Sequence, residues 1–144
     1  MIIMLDTNII LDNLIKERLY SFPDSSKALR LILSDDQNTC YISASAITDI
    51  YYILRKSFRS PEAALSSIKE ICKFACIADV RESDIRMALE SCLPDFEDSV
   101  VDSVAYRLKC NLILTRNTCD YTESSVPAIT PTDFISSSTD YRMS

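Results

Sequence analysis

The chain has no histidine, no glycine and no tryptophan among its 144 residues. Without histidine, imidazole acid–base catalysis and every Ser-His-Asp or Cys-His arrangement are excluded. Without glycine, no Gly-rich phosphate loop of the Walker or dinucleotide type can form. Long apolar runs are missing too: nothing approaches the roughly 18–20 residues that a membrane span requires, so no membrane association is expected. The opening MIIML is too short for a signal-peptide apolar region and lacks a basic lead-in, which makes the cytoplasm the expected address. The six cysteines (Cys40, Cys72, Cys76, Cys92, Cys110, Cys119) contain no CxxC pair, and no histidine is present to complete a zinc site. They read as reduced thiols acting as small hydrophobes. The chemistry left open rests on carboxylates, hydroxyls, amines or a metal.

The length suits one domain able to bury its own core. Fifteen basic against 21 acidic residues give a net charge of −6, which argues against a non-specific nucleic-acid binder but leaves room for an acidic metal site with a local basic rim.

Short apolar runs alternate with amphipathic stretches along the chain. Residues 2–5 read as a buried strand ended by Asp6-Thr7-Asn8, which can cap a helix starting near Ile9. Asp24-Ser25-Ser26 introduces a helix with Ala28, Leu29, Ile32 and Leu33 on one face. Cys40-Tyr41-Ile42 reads as a strand, 44–57 as a helix carrying Ile47, Ile50, Ile53 and Leu54, and Ser60-Pro61-Glu62 as the start of a helix reaching Phe74. A strand at 76–78, helices over 83–92 and 96–109, a strand at 111–114 and a short helix opened by Thr130-Pro131 complete the pattern. The alternation predicts an α/β fold, a central parallel sheet of four to five strands flanked by helices on both faces. Ligands of such sheets bind beyond the carboxyl ends of the strands. The domain is expected over 1–136, with 137–144 a frayed tail.

Acids fall at telling places. Asp6 directly follows the first strand, where an isolated Asp reads first as a helix cap. Asp49 interrupts an apolar helical pattern, and a solvated helix face explains it equally well. Asp95, Glu97 and Asp98 head the helix at 96–109, where acids favour the dipole; Asp102, one turn on, is expected to share a face with Asp98 and repel it. Acids from separate elements can meet at one end of the sheet. Two carboxylates about 4 Å apart repel by roughly 4 kcal/mol at an effective dielectric near 20. Such a cluster needs protons or a cation, and oxygen-only ligands favour Mg²⁺ or Mn²⁺.

The segments LDTNIILD (Leu5 to Asp12) and DFEDSVVDSVAYRLKCNLILTRNTCDY (Asp95 to Tyr121) resemble the paired signatures of PIN domains, and VPAITPTDFI is similar to the family's last strand and Pro-started helix. Asp98 stands seven residues before Ala105, as in toxins of the VapC type. The resemblance implies a PIN-like fold and a metal-dependent endoribonuclease using Mg²⁺ or Mn²⁺, the toxin of a toxin–antitoxin pair. Alternatives within it are a stand-alone PIN nuclease and a catalytically weakened PIN-fold interaction module. RNA is the implied substrate, with a homodimer and an antitoxin protein as implied partners. Carried over residue by residue, Asp6, Asp49 and Asp98 are the implied metal-binding and catalytic acids. Asp120 or Asn117 completes the shell, and Thr7, Asn8, Thr115 and Arg116 orient water or phosphate. Arg55, Lys56 and Arg59 are further candidates for the RNA backbone, although cations at a helix C-terminus need no such role.

The sequence departs from the family pattern in three ways. Asp49 replaces the usual Glu, Asn117 stands where many members have a fourth Asp, and Cys110-Asn111 replaces a usual Gly, with Asn111 expected to take the left-handed conformation. A haloacid-dehalogenase-type phosphatase would need a second Asp where Asn8 stands, and a phosphorelay receiver would need an acidic pair near the first strand and a later Asp-and-Lys pattern. Neither is present.

Overall fold

The computed structural model describes residues 1–143, with side chains through Asp140. Five strands, β1 (Ile2–Leu5), β2 (Thr39–Ser43), β3 (Cys76–Ala78), β4 (Leu112–Leu114) and β5 (Ala128–Ile129), form one parallel sheet in the order β3-β2-β1-β4-β5. Among the described residues the α-helices are α1 (Thr7–Leu14), α2 (Lys16–Ser21), α3 (Pro23–Leu33), α4 (Ala44–Phe58), α5 (Pro61–Phe74), α6 (Glu82–Leu89), α7 (Phe96–Arg107) and α8 (Pro131–Met143). The architecture is the expected α/β one.

The period-two geometry of β1 divides its side chains between two cores. Ile3 and Leu5 point to the face covered by α1, α3, α4, α5 and α8, where Ile9, Ile32, Ile50, Leu54, Ile71 and Phe134 pack with them. Met4, with Ile113 of β4, points to the other face against Val100, Val101, Val104 and Ala105 of α7 and Ala88 of α6. Burial on both faces explains why β1 and β4 read as continuous apolar runs rather than alternating ones. The central strand therefore delivers Asp6 at the point where the connections diverge, towards β2 on one side and β4 on the other.

Helix starts follow the sequence cues. Ser60 Oγ accepts from Ala63 N at 3.2 Å with Pro61 at the first helical position, and Asp95 Oδ1 accepts from Asp98 N at 3.0 Å at the head of α7. Helix α2 was not anticipated; its six residues are too few to display a 3.6-residue period. The last helix, α8, runs to Met143 and packs along α3. Ser144 and the side chains of 141–144 lie outside the described residues.

Two further expectations are corrected. Lys109, not Asn111, takes the left-handed conformation, with φ of 58°. Asn111 instead binds the start of β1, its Oδ1 accepting from Ile2 N at 2.7 Å while its own N–H donates to Ile2 O, also at 2.7 Å. Asp102 does not oppose Asp98: it is buried and accepts the N–H groups of Ser125 at 2.9 Å and Val126 at 3.0 Å, anchoring the loop before β5. Of the cysteines, Cys40 and Cys110 are buried, which pushes each thiol up to about 11, and the other four are exposed.

Candidate active site

Seven of the residues singled out from the sequence line one cavity of about 680 Å³ at the carboxyl end of the sheet: Asp6, Thr7, Asn8, Asp49, Asp98, Asn117 and Asp120. They come from four places in the chain, and each is placed by ordinary local structure.

Asp6 sits where β1 gives way to α1, only 8% exposed. Its Oδ1 accepts from Thr7 N at 2.8 Å, so it is the helix cap that its position suggested. Its Oδ2 accepts from Thr115 Oγ1 at 2.7 Å and from Asn8 Nδ2 at 3.3 Å. The cap and the site are thus the same carboxylate. Burial raises the Asp6 pKa, the hydrogen bonds from Thr115, Thr7 and Asn8 oppose the rise, and the Asp120 charge adds to it. Thr115 is fully buried beneath the cavity and also accepts from Asn117 N at 3.1 Å, so the hydroxyl joins the β4 loop to the β1 acid.

Asp98 lies in the first turn of α7, half-buried, and its Oδ1 accepts from Tyr121 Oη at 3.2 Å. Burial, then the charges of Asp6, Asp95 and Asp120, push its pKa up to about 7, against the opposing Tyr121 hydrogen bond. Asp49 projects from an exposed position on α4, and Asp120 from the 3₁₀ turn Thr118–Tyr121, half-buried. The influence of Asp120 on both Asp6 and Asp98 places its charge within the same field.

Arg116 goes elsewhere. Its guanidinium turns away from the cavity to Asp12, with Nε at 2.6 Å from Oδ2 and Nη2 at 3.2 Å from Oδ1, and stacks 3.6 Å from the centroid of the Phe22 ring. Its backbone N–H nevertheless donates to Asn8 Oδ1 at 3.3 Å. Arg55 and Lys56 in the last turn of α4, and Arg59 just beyond it, do not line the cavity; Lys56 Nζ lies 4.7 Å from the centroid of the Tyr52 ring.

Sequence reasoning missed Asp12, Arg18, Tyr52 and Phe96. Asp12 is fully buried and accepts from Ser25 Oγ at 2.7 Å as well as from Arg116. Arg18, Tyr52 and Phe96 line the cavity.

The cavity lining tests the expected metal. Among the described residues its metal-ligating atoms are oxygens, and five acids (Asp6, Asp49, Glu97, Asp98, Asp120) face it against one cation, Arg18. That donor set and charge deficit fit a hard divalent ion. Among the described residues, no three acids stand together at ligating spacing, so the more exposed Asp49 and Asp120 would have to swing inward to complete a shell.

The electrostatics carry a prediction for the metal-free protein. The unfolded chain loses the Asp98 proton near pH 4, the folded chain only near 7. Between those values the folded state holds more protons, so stability falls as pH rises and is lowest above about 7. The raised Asp6 acts in the same direction. Urea unfolding across this range in EDTA is expected to show that slope, and saturating Mn²⁺ to flatten it. Stability that rises from pH 4 to 7 in EDTA would contradict the crowding of these acids.

A PIN domain profile matches residues 2–119. The chain belongs to the PIN domain family. Comparison with curated protein sequences returned no match. Among solved structures, the PIN domain resembles a chain of VapBC2 from Rickettsia felis bound to a DNA fragment from their promoter, with 20% identity, a TM-score of 0.71, and 90% of this chain and 98% of that chain covered. It also resembles a chain of VapBC-1 from nontypeable Haemophilus influenzae, with 17% identity, a TM-score of 0.66, and 92% and 99% covered. A third likeness is to VapC20 of Mycobacterium tuberculosis, described as a sarcin–ricin loop cleaving toxin, with 13% identity, a TM-score of 0.58, and 77% and 86% covered. At these identities the likeness is one of fold. No helix among the described residues is long and apolar enough to cross a membrane.

Proposed function

We propose that this PIN domain is a divalent-metal-dependent endoribonuclease, the toxin of a toxin–antitoxin pair. The observation that carries the reading is the convergence of Asp6, Asp49, Asp98 and Asp120 on one cavity at the carboxyl end of the sheet, in a domain of this family. Asp6, Asp49 and Asp98 would hold Mg²⁺ or Mn²⁺, with Asp120 or Asn117 completing the shell. Such an ion lowers the pKa of bound water and polarises the scissile phosphate.

The protein's own groups prepare that chemistry. Thr115 and Asn8 fix the Asp6 carboxylate, and Thr7 N–H holds its other oxygen. Tyr121 steadies one oxygen of Asp98 and leaves the second for the cavity. Hydrolysis adds water across the phosphodiester and is expected to leave a 5′-phosphate and a 3′-hydroxyl. The partners expected on this reading are a second copy of the chain and a small antitoxin with a basic segment suited to the −6 charge. Solution mass and co-purification with the product of the neighbouring reading frame test both.

The direct experiment is RNA cleavage with Mn²⁺ or Mg²⁺ against an EDTA control, with the product ends mapped. The same assay decides the fourth position. An amide oxygen is a poorer ligand than a carboxylate, and Asp120 already acts on Asp6 and Asp98. Asp120→Asn is therefore expected to raise the metal concentration for half-maximal cleavage, and Asn117→Asp to lower it. An unchanged requirement in Asp120→Asn leaves a three-acid site.

A second reading, a weakened PIN-fold interaction module, draws support from the absence of three acids at ligating spacing among the described residues. No Mn²⁺-dependent thermal shift, with no cleavage, is the result that would favour it.

A further inference from the structure

The cavity is unevenly furnished. Beside its acids stand two aromatic rings held out in solvent, Tyr52 at 57% and Phe96 at 49% exposure. They belong to separate elements: Tyr52 lies one turn beyond Asp49 on α4, and Phe96 is the first residue of α7, two before Asp98. The rings therefore flank the acids from the two helices that carry Asp49 and Asp98.

The cavity's one cation among the described residues is equally unusual. Arg18 of α2 is 35% exposed and reaches Asp12 only at 3.8 Å, while Arg116 already takes both oxygens of that carboxylate. One buried carboxylate faces two guanidiniums, so the trio carries a surplus positive charge, and Arg18 presents it to the cavity.

We propose that Tyr52 and Phe96 are base-stacking platforms and Arg18 a phosphate contact, so that the site takes a single-stranded RNA segment with its bases splayed to either side of the acids. This rests on the ribonuclease reading and deepens it. Every base has a face to stack, and stacking on an aromatic ring is worth about 1–3 kcal/mol per base, whereas duplex bases are already stacked on one another. Lys56, whose Nζ lies over one face of the Tyr52 ring at 4.7 Å from its centroid, adds a second positive group beside that platform. Five acids would otherwise repel a polyanion, so a positioned cation and sequence-tolerant stacking supply the attraction that the net charge denies.

The test uses the full chain and a short single-stranded oligoribonucleotide carrying 5-iodouridine. Irradiation is expected to crosslink the RNA to Tyr52 and Phe96, located by peptide mass spectrometry, with far less crosslinking to the same sequence in a duplex. Tyr52→Leu and Phe96→Leu should each weaken single-strand binding by about 5- to 150-fold, and Tyr52→Phe should retain it. Arg18→Ala should weaken binding and lower the slope of log K against log salt by roughly 0.7, the share of one phosphate contact on a single strand. Crosslinks elsewhere, or equal binding of duplex and single strand, overturn the proposal. So does unchanged RNA binding in both leucine variants accompanied by lost binding of a partner protein, which would assign the rings to a protein interface. Crosslinks at both rings without cleavage in Mg²⁺ or Mn²⁺ would uphold the stacking and reject the nuclease reading.

Discussion

Asp98→Asn is expected to reduce RNA cleavage by at least about a hundredfold while making the metal-free protein more stable at pH 7. Loss of an outer partner of a metal site already costs about 10–100-fold, and on the proposed function Asp98→Asn removes a charged ligand itself. The gain in stability has a separate cause. Asp98 is crowded by burial and by Asp6, Asp95 and Asp120, so the folded state at pH 7 resists its ionisation, and a neutral amide removes that cost. Asp6→Asn should abolish cleavage equally without the stability gain. Its carboxylate accepts from Thr7, Thr115 and Asn8, and an amide can satisfy only part of that set. Cleavage assays and urea melts of the two variants in EDTA separate the effects. Parental activity in either variant means that the site is elsewhere.

The second large effect concerns a pair with no role in the proposed chemistry. Arg116→Met leaves Asp12 fully buried without its bidentate partner, and breaking a buried ion pair costs about 3–5 kcal/mol. Ser25 and Arg18 stay beside Asp12, so the lower end of that range is expected. The double variant Asp12→Leu/Arg116→Met should recover much of the loss, since an apolar pair has no stranded charge. Chemical denaturation of both singles and the double measures the coupling. Additive costs would mean that the two side chains act independently, contrary to the 2.6 Å contact.

These two cases also show what was legible beforehand. An acid directly after an apolar strand, or heading an amphipathic helix, stands out because strand ends and helix starts are local properties. Yet Asp6 and Asp98 read there first as a helix cap and a dipole-favoured acid, and it was the resemblance to PIN domains that singled them out as site residues. Asp49 was found as a break in an apolar pattern, although its exposed position is equally that of a solvated helix face. Asp12 was not singled out as a buried anchor, because its partners Ser25 and Arg116 lie 13 and 104 residues away and only the folded chain joins them. For the same reason Arg116, beside the β4 motif, looked like a substrate contact. Tyr52 and Phe96 were not singled out, because only the folded chain shows that these two helix residues open onto one cavity. The sheet and its alternation with helices were readable from periodicity, whereas α2 and the left-handed Lys109 turned on packing that no short window contains.

The bond between Thr115 and Asp6 spans 109 positions of the chain. A protein made from its amino terminus on the ribosome therefore holds its first acid from the start but cannot fix it until the strand ending at Leu114 has emerged and paired with β1. Until then the central strand is an edge, the Asp6 carboxylate lacks its hydroxyl donor, and Asp120 has not been added. If the finished cavity cuts RNA, the nascent chain stays unarmed until β4 has emerged, beside the messenger and ribosomal RNA that it would otherwise be the first to meet.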